Sequence, residues 1–226
     1  MNKRTQQILE ALVKEHVKTG QPVGSEALVS RYKLGVSSAT VRNELAELES
    51  SGYIIQPHTS AGRIPTEAAY RHCLEGLREK KVTGVEADIF AKLLEDKGEA
   101  GIKQLAKALA QASGLAVFWA FHRHNLYYTG VANFLSQPEF RESSTIYDVS
   151  AIIDRVDEII DSIYNDTPME PTVLIGQDNP FSPICSTIIT RYRLGDHTGL
   201  FGILGPLRMN YERNYSLVKH IKDHLA

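Results

Sequence analysis

Residues 35–71 read GVSSATVRNELAELESSGYIIQPHTSAGRIPTEAAYR and contain the pattern of one exposed helix followed by a short hairpin. Ser37 is a favourable N-cap, because its hydroxyl can accept a hydrogen bond from a free backbone N–H of the next turn. No Gly or Pro interrupts residues 38–51, and Gly52 supplies a stop signal. The stretch therefore predicts a helix that begins at Ser37.

This helix has two different faces. At about 100° per residue, Val41, Leu45 and Leu48 form an apolar face. The opposite face is small and polar, with Ala39, Asn43, Ala46 and Ser50 at its centre and Thr40 and Arg42 at its edges. A helix in the DNA major groove needs small residues for close approach and planar amide or guanidinium groups for contact with base edges. The pattern is typical of a DNA-recognition helix.

Two helices are predicted before it. Residues 5–19 carry an apolar stripe of helical period, and Gly20 ends that helix. Ser25 is predicted to cap a second helix that runs to Tyr32. Residues 33–36 then have the length of the turn in a helix-turn-helix.

A hairpin is predicted after the helix. Residues 53–56 are strand-like, residues 57–62 form a loop, and residues 63–65 return. Because Pro57 and Pro65 have no N–H to donate, both strands must be short and edge-like, as in a two-stranded wing.

Thr66 is predicted to cap a further helix that runs to about Lys80. The order of elements predicts a winged helix-turn-helix domain over residues 1–77. A protein-binding winged helix is the alternative. His58 and Arg63, predicted at the hairpin tip, favour DNA, because positive side chains suit the strongly negative minor groove. The candidate DNA contacts are Ser37, Ser38, Ala39, Thr40, Arg42, Asn43, His58 and Arg63.

The same segments resemble the heat-inducible transcription repressor family (HrcA) of bacteria. The residues that carry the resemblance are GVSSATVRNELAELE, QPHTSAGRIPTEAAYR and KTGQPVGSEAL in the N-terminal part, and NFLSQPEF, residues 175–176 and ILGPLRMNY in the C-terminal part. The resemblance implies a repressor of heat-shock genes that binds double-stranded DNA at an inverted-repeat operator ahead of chaperone genes. It also implies coupling to the chaperonin as a possible co-repressor.

A charged linker at residues 78–84 is predicted to lead into a second, α+β domain over residues 85–226. Its predicted elements are helices at 85–95, 102–112 and 151–164, strands at 115–121, 126–131, 172–175, 187–192 and 200–204, and a closing helix from Tyr211. The resemblance implies a GAF-like domain with a small, mainly antiparallel sheet. GAF folds often hold small ligands, so the alternative function is a ligand-sensing regulator whose C-terminal domain controls DNA release.

One departure from the family concerns assembly. Its members typically carry a dimerising insert between two central strands, whereas residues 119–125, WAFHRHN, leave room only for a turn. An inverted repeat is best read by a two-fold dimer, so we expect a homodimer built on another surface. The apolar candidates are Ile89-Phe90-Leu93-Leu94 and Leu105-Leu109.

Composition and charge agree with this interpretation. A chain of 226 residues with 42% hydrophobic and 23% charged residues suits one or two globular domains. The net charge of −2 combines +3 over residues 1–81 with −5 over the rest. No signal peptide or membrane span is visible, and Cys73 and Cys185 have no metal or disulfide spacing, so we expect a cytoplasmic protein.

The sequence offers little chemistry. His122 and His124 lack a metal-ligand partner at useful spacing, and the glycines at 199, 202 and 205 lack the strand-to-helix context of a dinucleotide loop. No catalytic constellation is present. We expect no enzyme activity, no cofactor and no metal.

Overall fold

The computed structural model describes residues 1–58, 61–140 and 150–225, so residues 59 and 60 of the predicted loop lie outside the described residues. The chain divides into two compact units, Met1–Leu77 and Arg78–Ala226.

The first unit contains four helices and one two-stranded sheet within its described residues. They are α1 (Lys3–Thr19), α2 (Ser25–Arg31), α3 (Ser38–Ser50), β1 (Ile54–Ile55), β2 (Ile64–Pro65) and α4 (Glu67–Leu74). Asn2 caps α1 by accepting the N–H groups of Arg4 and Thr5, and Gly20 ends it in the left-handed conformation. The predicted first and third helices are confirmed.

Two predicted boundaries in this unit are wrong. Gly24, not Ser25, is the N-cap of α2, because the Ser25 hydroxyl instead lies 3.0 Å from that of Ser38. Helix α4 ends at Leu74 rather than near Lys80. Gly76 and the charged run that follows give a longer helix no apolar face to bury.

The hairpin, defined here as residues 54–65, is joined to the segment between α1 and α2. Strands β1 and β2 are antiparallel, with Ile54 opposite Pro65. Val23 and Arg63 exchange backbone hydrogen bonds of 2.8 and 2.9 Å. Gly62 is required beside this bridge, because a Cβ there would lie 2.5 Å from the Val23 carbonyl carbon. The sequence pattern did not predict this pairing.

The second unit is a five-stranded sheet with helices. Its elements are α5 (Val85–Leu93), α6 (Glu99–Ser113), β3 (Ala116–His122), β4 (Asn125–Thr129), α7 (Val131–Leu135), α8 (Val156–Ile163), β5 (Thr172–Ile175), β6 (Cys185–Leu194), β7 (His197–Pro206) and α9 (Tyr211–Leu225). The strand order is β4-β3-β7-β6-β5, and every neighbouring pair is antiparallel. The mixed helix and sheet class and the antiparallel sheet are therefore confirmed.

Both faces of this sheet are buried. Phe118 packs in one cluster with Ile160 of α8. Side chains alternate along a strand, so the neighbouring Trp119 points to the other face, where it stacks on Phe201 at 4.2 Å and donates to the Tyr192 hydroxyl at 2.8 Å. The predicted helix at 151–164 is interrupted: residues 150–154 are helical, Arg155 forms a turn, and α8 follows.

Residues 78–84 contain no helix or strand and belong to the second unit. The Lys80 N–H donates to the Ser216 hydroxyl of α9 at 2.8 Å, and its ammonium pairs with Glu212. Strands β3 and β4 are joined by Arg123 and His124, and Arg123 forms an ion pair with Asp161 of α8.

The predicted dimerisation surface is mostly wrong. Phe90, Leu94, Leu105 and Leu109 are buried within their own unit. Only Ile89, 45% exposed, and the half-buried Leu93 keep solvent-facing surface. The apolar periodicity of α5 and α6 therefore reflects packing into the core of the second unit, not a dimer interface.

Candidate nucleic-acid interface

The position of α3 is set by its cap and its apolar face. The Ser37 hydroxyl accepts the Thr40 N–H at 3.2 Å. Val41, Leu45 and Leu48 are buried. This packing turns the opposite face of the helix to solvent.

That outer face presents unused hydrogen-bonding groups. Ala39, Arg42 and Asn43 are exposed and Thr40 is half-buried. Within the described residues, the side chains of Arg42 and Asn43 make no hydrogen bond or ion pair. A guanidinium and an amide are thus available on a face whose neighbouring residues are small, which is the requirement for reading base edges.

Ser38 differs from the rest of this set. It is half-buried, and its hydroxyl lies 3.0 Å from the Ser25 hydroxyl at the start of α2. Ser38 therefore links two helices and is turned away from the outer face.

Buried and half-buried carboxylates fix the helices that support α3. Glu44 of α3 accepts the Thr5 hydroxyl at 2.5 Å, which ties α3 to the first turn of α1. Glu15 of α1 is buried and pairs with Arg31 and with the Tyr32 hydroxyl. Because Arg31 is paired with a buried carboxylate, its charge is less available to a polyanion.

The tip of the hairpin carries His58. This residue is exposed, and its carbonyl accepts the Ala61 N–H at 2.9 Å. The Gln56 side chain donates to the Ala61 carbonyl at 2.9 Å and closes the loop from within.

Arg63 lies on the loop side of the two-stranded ladder, immediately before β2, and its side chain is turned toward α3. Its backbone pairs with Val23, and its guanidinium donates to Glu49 of α3 at 3.1 Å. The Arg63 side chain is only 20% exposed. The sequence could not show this, because Glu49 lies 14 positions earlier and the contact depends on how the returning strand docks.

A small apolar cavity of the second unit bears on ligand binding. Its volume is about 30 Å³, it lies between Phe118, Phe134 and Val156, and no polar atom lines it. Ligand pockets typically enclose roughly 300–1,000 Å³ and contain a few polar groups. This cavity gives no support to the ligand-sensing alternative.

Other chemistry is sparse within the described residues. No cluster of three His, Cys, Asp or Glu side chains there could hold a metal ion. No helix in that part of the chain is long and apolar enough to cross a membrane. Burial raises the pKa of the Cys185 thiol to about 12, and burial together with the charge of Glu10 raises the pKa of Cys73 to about 11.

The family model described as the HrcA protein C terminal domain matches residues 67–214, well over half of the chain. The chain belongs to the HrcA family. HrcA is a family of transcription repressors and not of enzymes.

Alignments with HrcA proteins extend the similarity over the whole chain. The heat-inducible transcription repressor HrcA of Moorella thermoacetica is 26% identical over 335 positions, covering 100% of this chain and 97% of that protein. The HrcA of Mycobacteroides abscessus is 51% identical over 90 residues, covering 39% of this chain and 26% of that protein. A crystal structure described as that of a hypothetical protein at 2.2 Å resolution matches with a TM-score of 0.80. It is 18% identical and covers 100% of this chain and 97% of that one, so it shows the fold alone.

The lengths of the aligned proteins differ. The alignment with the Moorella protein has 335 positions, and this HrcA-family chain has 226 residues, so at least 109 positions contain no residue of it. A missing internal segment agrees with the two-residue turn between β3 and β4.

Proposed function

We propose that this HrcA-family chain is a sequence-specific DNA-binding repressor of heat-shock genes that acts on an inverted-repeat operator ahead of chaperone genes. The first unit serves as a winged helix-turn-helix over residues 1–77. Residues 78–84 serve as a linker, and residues 85–226 form a GAF-like regulatory and dimerisation domain. The observation that carries the proposal is the outer face of α3, where Arg42 and Asn43 are exposed among small residues and have no partner within the described part of the chain.

In this proposal α3 enters the major groove. Asn43 contacts an adenine edge and Arg42 a guanine edge or a phosphate, with Ala39 and Thr40 in close approach. Ser37 lies at the N-terminus of α3, where the helix dipole and free N–H groups favour a phosphate.

The hairpin acts as the wing. His58 at its turn faces the minor groove or the backbone. Ser38 and Arg63 serve the interface indirectly, because Ser38 bonds to Ser25 and Arg63 to Glu49.

Assembly completes the proposal. A single winged helix covers about 600–1,000 Å² of DNA and binds weakly, so an inverted repeat requires two copies. We infer a homodimer, with the chaperonin as a possible co-repressor that raises the fraction of active dimer.

The test is selection from a pool of random duplexes, followed by fluorescence anisotropy with the enriched sequence and a scrambled control. We expect enrichment of an inverted repeat and binding at least about 10³-fold tighter than to the control at matched salt. Equal binding to both duplexes would overturn the proposal and favour a protein-binding winged helix. Added chaperonin should raise operator occupancy without changing the selected sequence.

A further inference from the structure

Glu49 lies on the last turn of α3, and its carboxylate contacts both sides of the hairpin. Oε1 accepts the backbone N–H of Gln56 at 3.0 Å, and Oε2 accepts from the Arg63 guanidinium at 3.1 Å. Gln56 follows β1 and Arg63 precedes β2. One side chain of the helix therefore bridges the two sides of the hairpin at the loop end of its ladder.

The two partners of Glu49 are themselves fixed. The Gln56 side chain donates across the loop to the Ala61 carbonyl at 2.9 Å, and the Arg63 backbone is paired with Val23. The hairpin is thus held as one piece, and Glu49 connects that piece to α3.

The charges at this contact are partly shielded from water. The side chains of Arg63 and Glu49 are 20% and 34% exposed. Hydrogen bonds between ionised groups are stronger than neutral ones, and partial burial reduces their screening by salt. The pair also neutralises a carboxylate that would otherwise repel a nearby phosphate backbone.

We propose that Glu49 is a positioning residue that fixes the angle between the hairpin and α3, so that both reach the duplex together. This inference rests on the proposed function. Contact groups must be held to within a fraction of an ångström on rigid supports if base reading and backbone contacts are to occur at once. Arg63 acts through Glu49 rather than on the DNA.

The proposal and simple electrostatics predict opposite effects of removing the Glu49 charge on affinity for DNA. Removing a negative charge beside DNA should tighten binding if charge alone matters. If Glu49 positions the hairpin, Glu49→Ala should instead weaken binding to the selected duplex by about 10- to 100-fold. Glu47→Ala is the matched control, because Glu47 is an exposed acid on the same helix. It should leave affinity unchanged or raise it slightly.

A double variant separates positioning from direct contact. If Arg63 works through Glu49, Arg63→Ala should lose no more affinity than Glu49→Ala, because the bond from Gln56 to Glu49 remains. The double Glu49→Ala, Arg63→Ala variant should lose about as much as Glu49→Ala, because the losses share one interaction. Direct contact of Arg63 with phosphate predicts additive losses and a salt slope flatter by about one unit for Arg63→Ala. Additive losses, or tighter binding by Glu49→Ala, would overturn the proposal.

Hydrogen exchange of the free protein supplies a readout that does not need DNA. In Glu49→Ala the amide of Gln56 should exchange at least about tenfold faster, while the amides of Leu45 and Leu48 stay protected and show that the unit is folded. Glu49→Gln keeps an acceptor for Gln56 and should slow that exchange again. If the parent protein binds no duplex, the proposed function fails. Unchanged exchange of the Gln56 amide in Glu49→Ala would independently reject the positioning role of Glu49.

Discussion

Arg42 and Asn43 differ from the acidic residues of α3 in how they are used. Glu44 and Glu49 are bonded within the first unit, to Thr5 and to the hairpin. Arg42 and Asn43 remain exposed without a partner among the described residues. At the residue scale, α3 therefore directs two of its three acids toward the protein and keeps a guanidinium and an amide for another molecule.

Replacing Asn43 by Ala should cost about 1–3 kcal/mol of discrimination between the selected and the scrambled duplex, because one base edge loses its bidentate partner. Arg42→Ala should weaken binding as well. Anisotropy titrations at matched salt measure both. Lys18→Ala, which removes an exposed cation of α1, is the control and should keep the discrimination. If both α3 variants bind as the parent does, the proposed face is wrong.

The two thiols should be unreactive in the folded protein. The raised pKa values, about 11 for Cys73 and about 12 for Cys185, leave very little thiolate at pH 8. We expect slow reaction with a disulfide reagent at pH 8, and a Cys73 rate that rises with pH toward 11. The denatured chain should react rapidly through both thiols. A fast reaction of the folded chain at pH 8 would contradict the burial of these groups.

At the scale of elements, local sequence signals predicted α3, but they did not predict the pairing of residues far apart in the chain. The cap at Ser37, the apolar period of Val41, Leu45 and Leu48, and the stop at Gly52 all lie within one segment. The bridge between Val23 and Arg63 joins distant segments through backbone atoms, which leave no side-chain pattern. The exposed residues on α3 were predictable for the same reason, whereas the contact of Arg63 with Glu49 was not.

Gly62→Ala should destabilise the first unit by about 1–3 kcal/mol, because the added Cβ must displace the Val23 backbone from the bridge. The midpoint temperature of thermal unfolding and the affinity for the duplex should both fall. Gly76→Ala is the matched control, because a Cβ there meets nothing closer than 3.8 Å. Equal stability of the two variants would show that the bridge can shift without cost.

At the scale of the molecule, the described residues of the second unit include only a few exposed large apolar side chains that could contact a second copy. Periodicity indicated that α5 and α6 bury a face, but it could not show that their own unit covers that face. Val85 and Ile89, one turn apart on α5, are 73% and 45% exposed and form an apolar pair beside the proposed linker. In a two-fold interface each residue contributes once from each copy, so a small patch buries twice its own area.

We therefore predict a homodimer at micromolar concentration, measured by sedimentation equilibrium, and a dimer weakened about tenfold or more by Ile89→Glu. The change places a charge in each copy of an apolar contact worth roughly 1.5–3 kcal/mol per buried side chain. Ile184→Glu is the matched control, because Ile184 is 39% exposed and lies away from α5 in the sequence. It should leave the dimer intact. A strict monomer, both free and with the selected duplex, would reject dimerisation. A dimer that survives Ile89→Glu but not Ile184→Glu would place the interface beside β6.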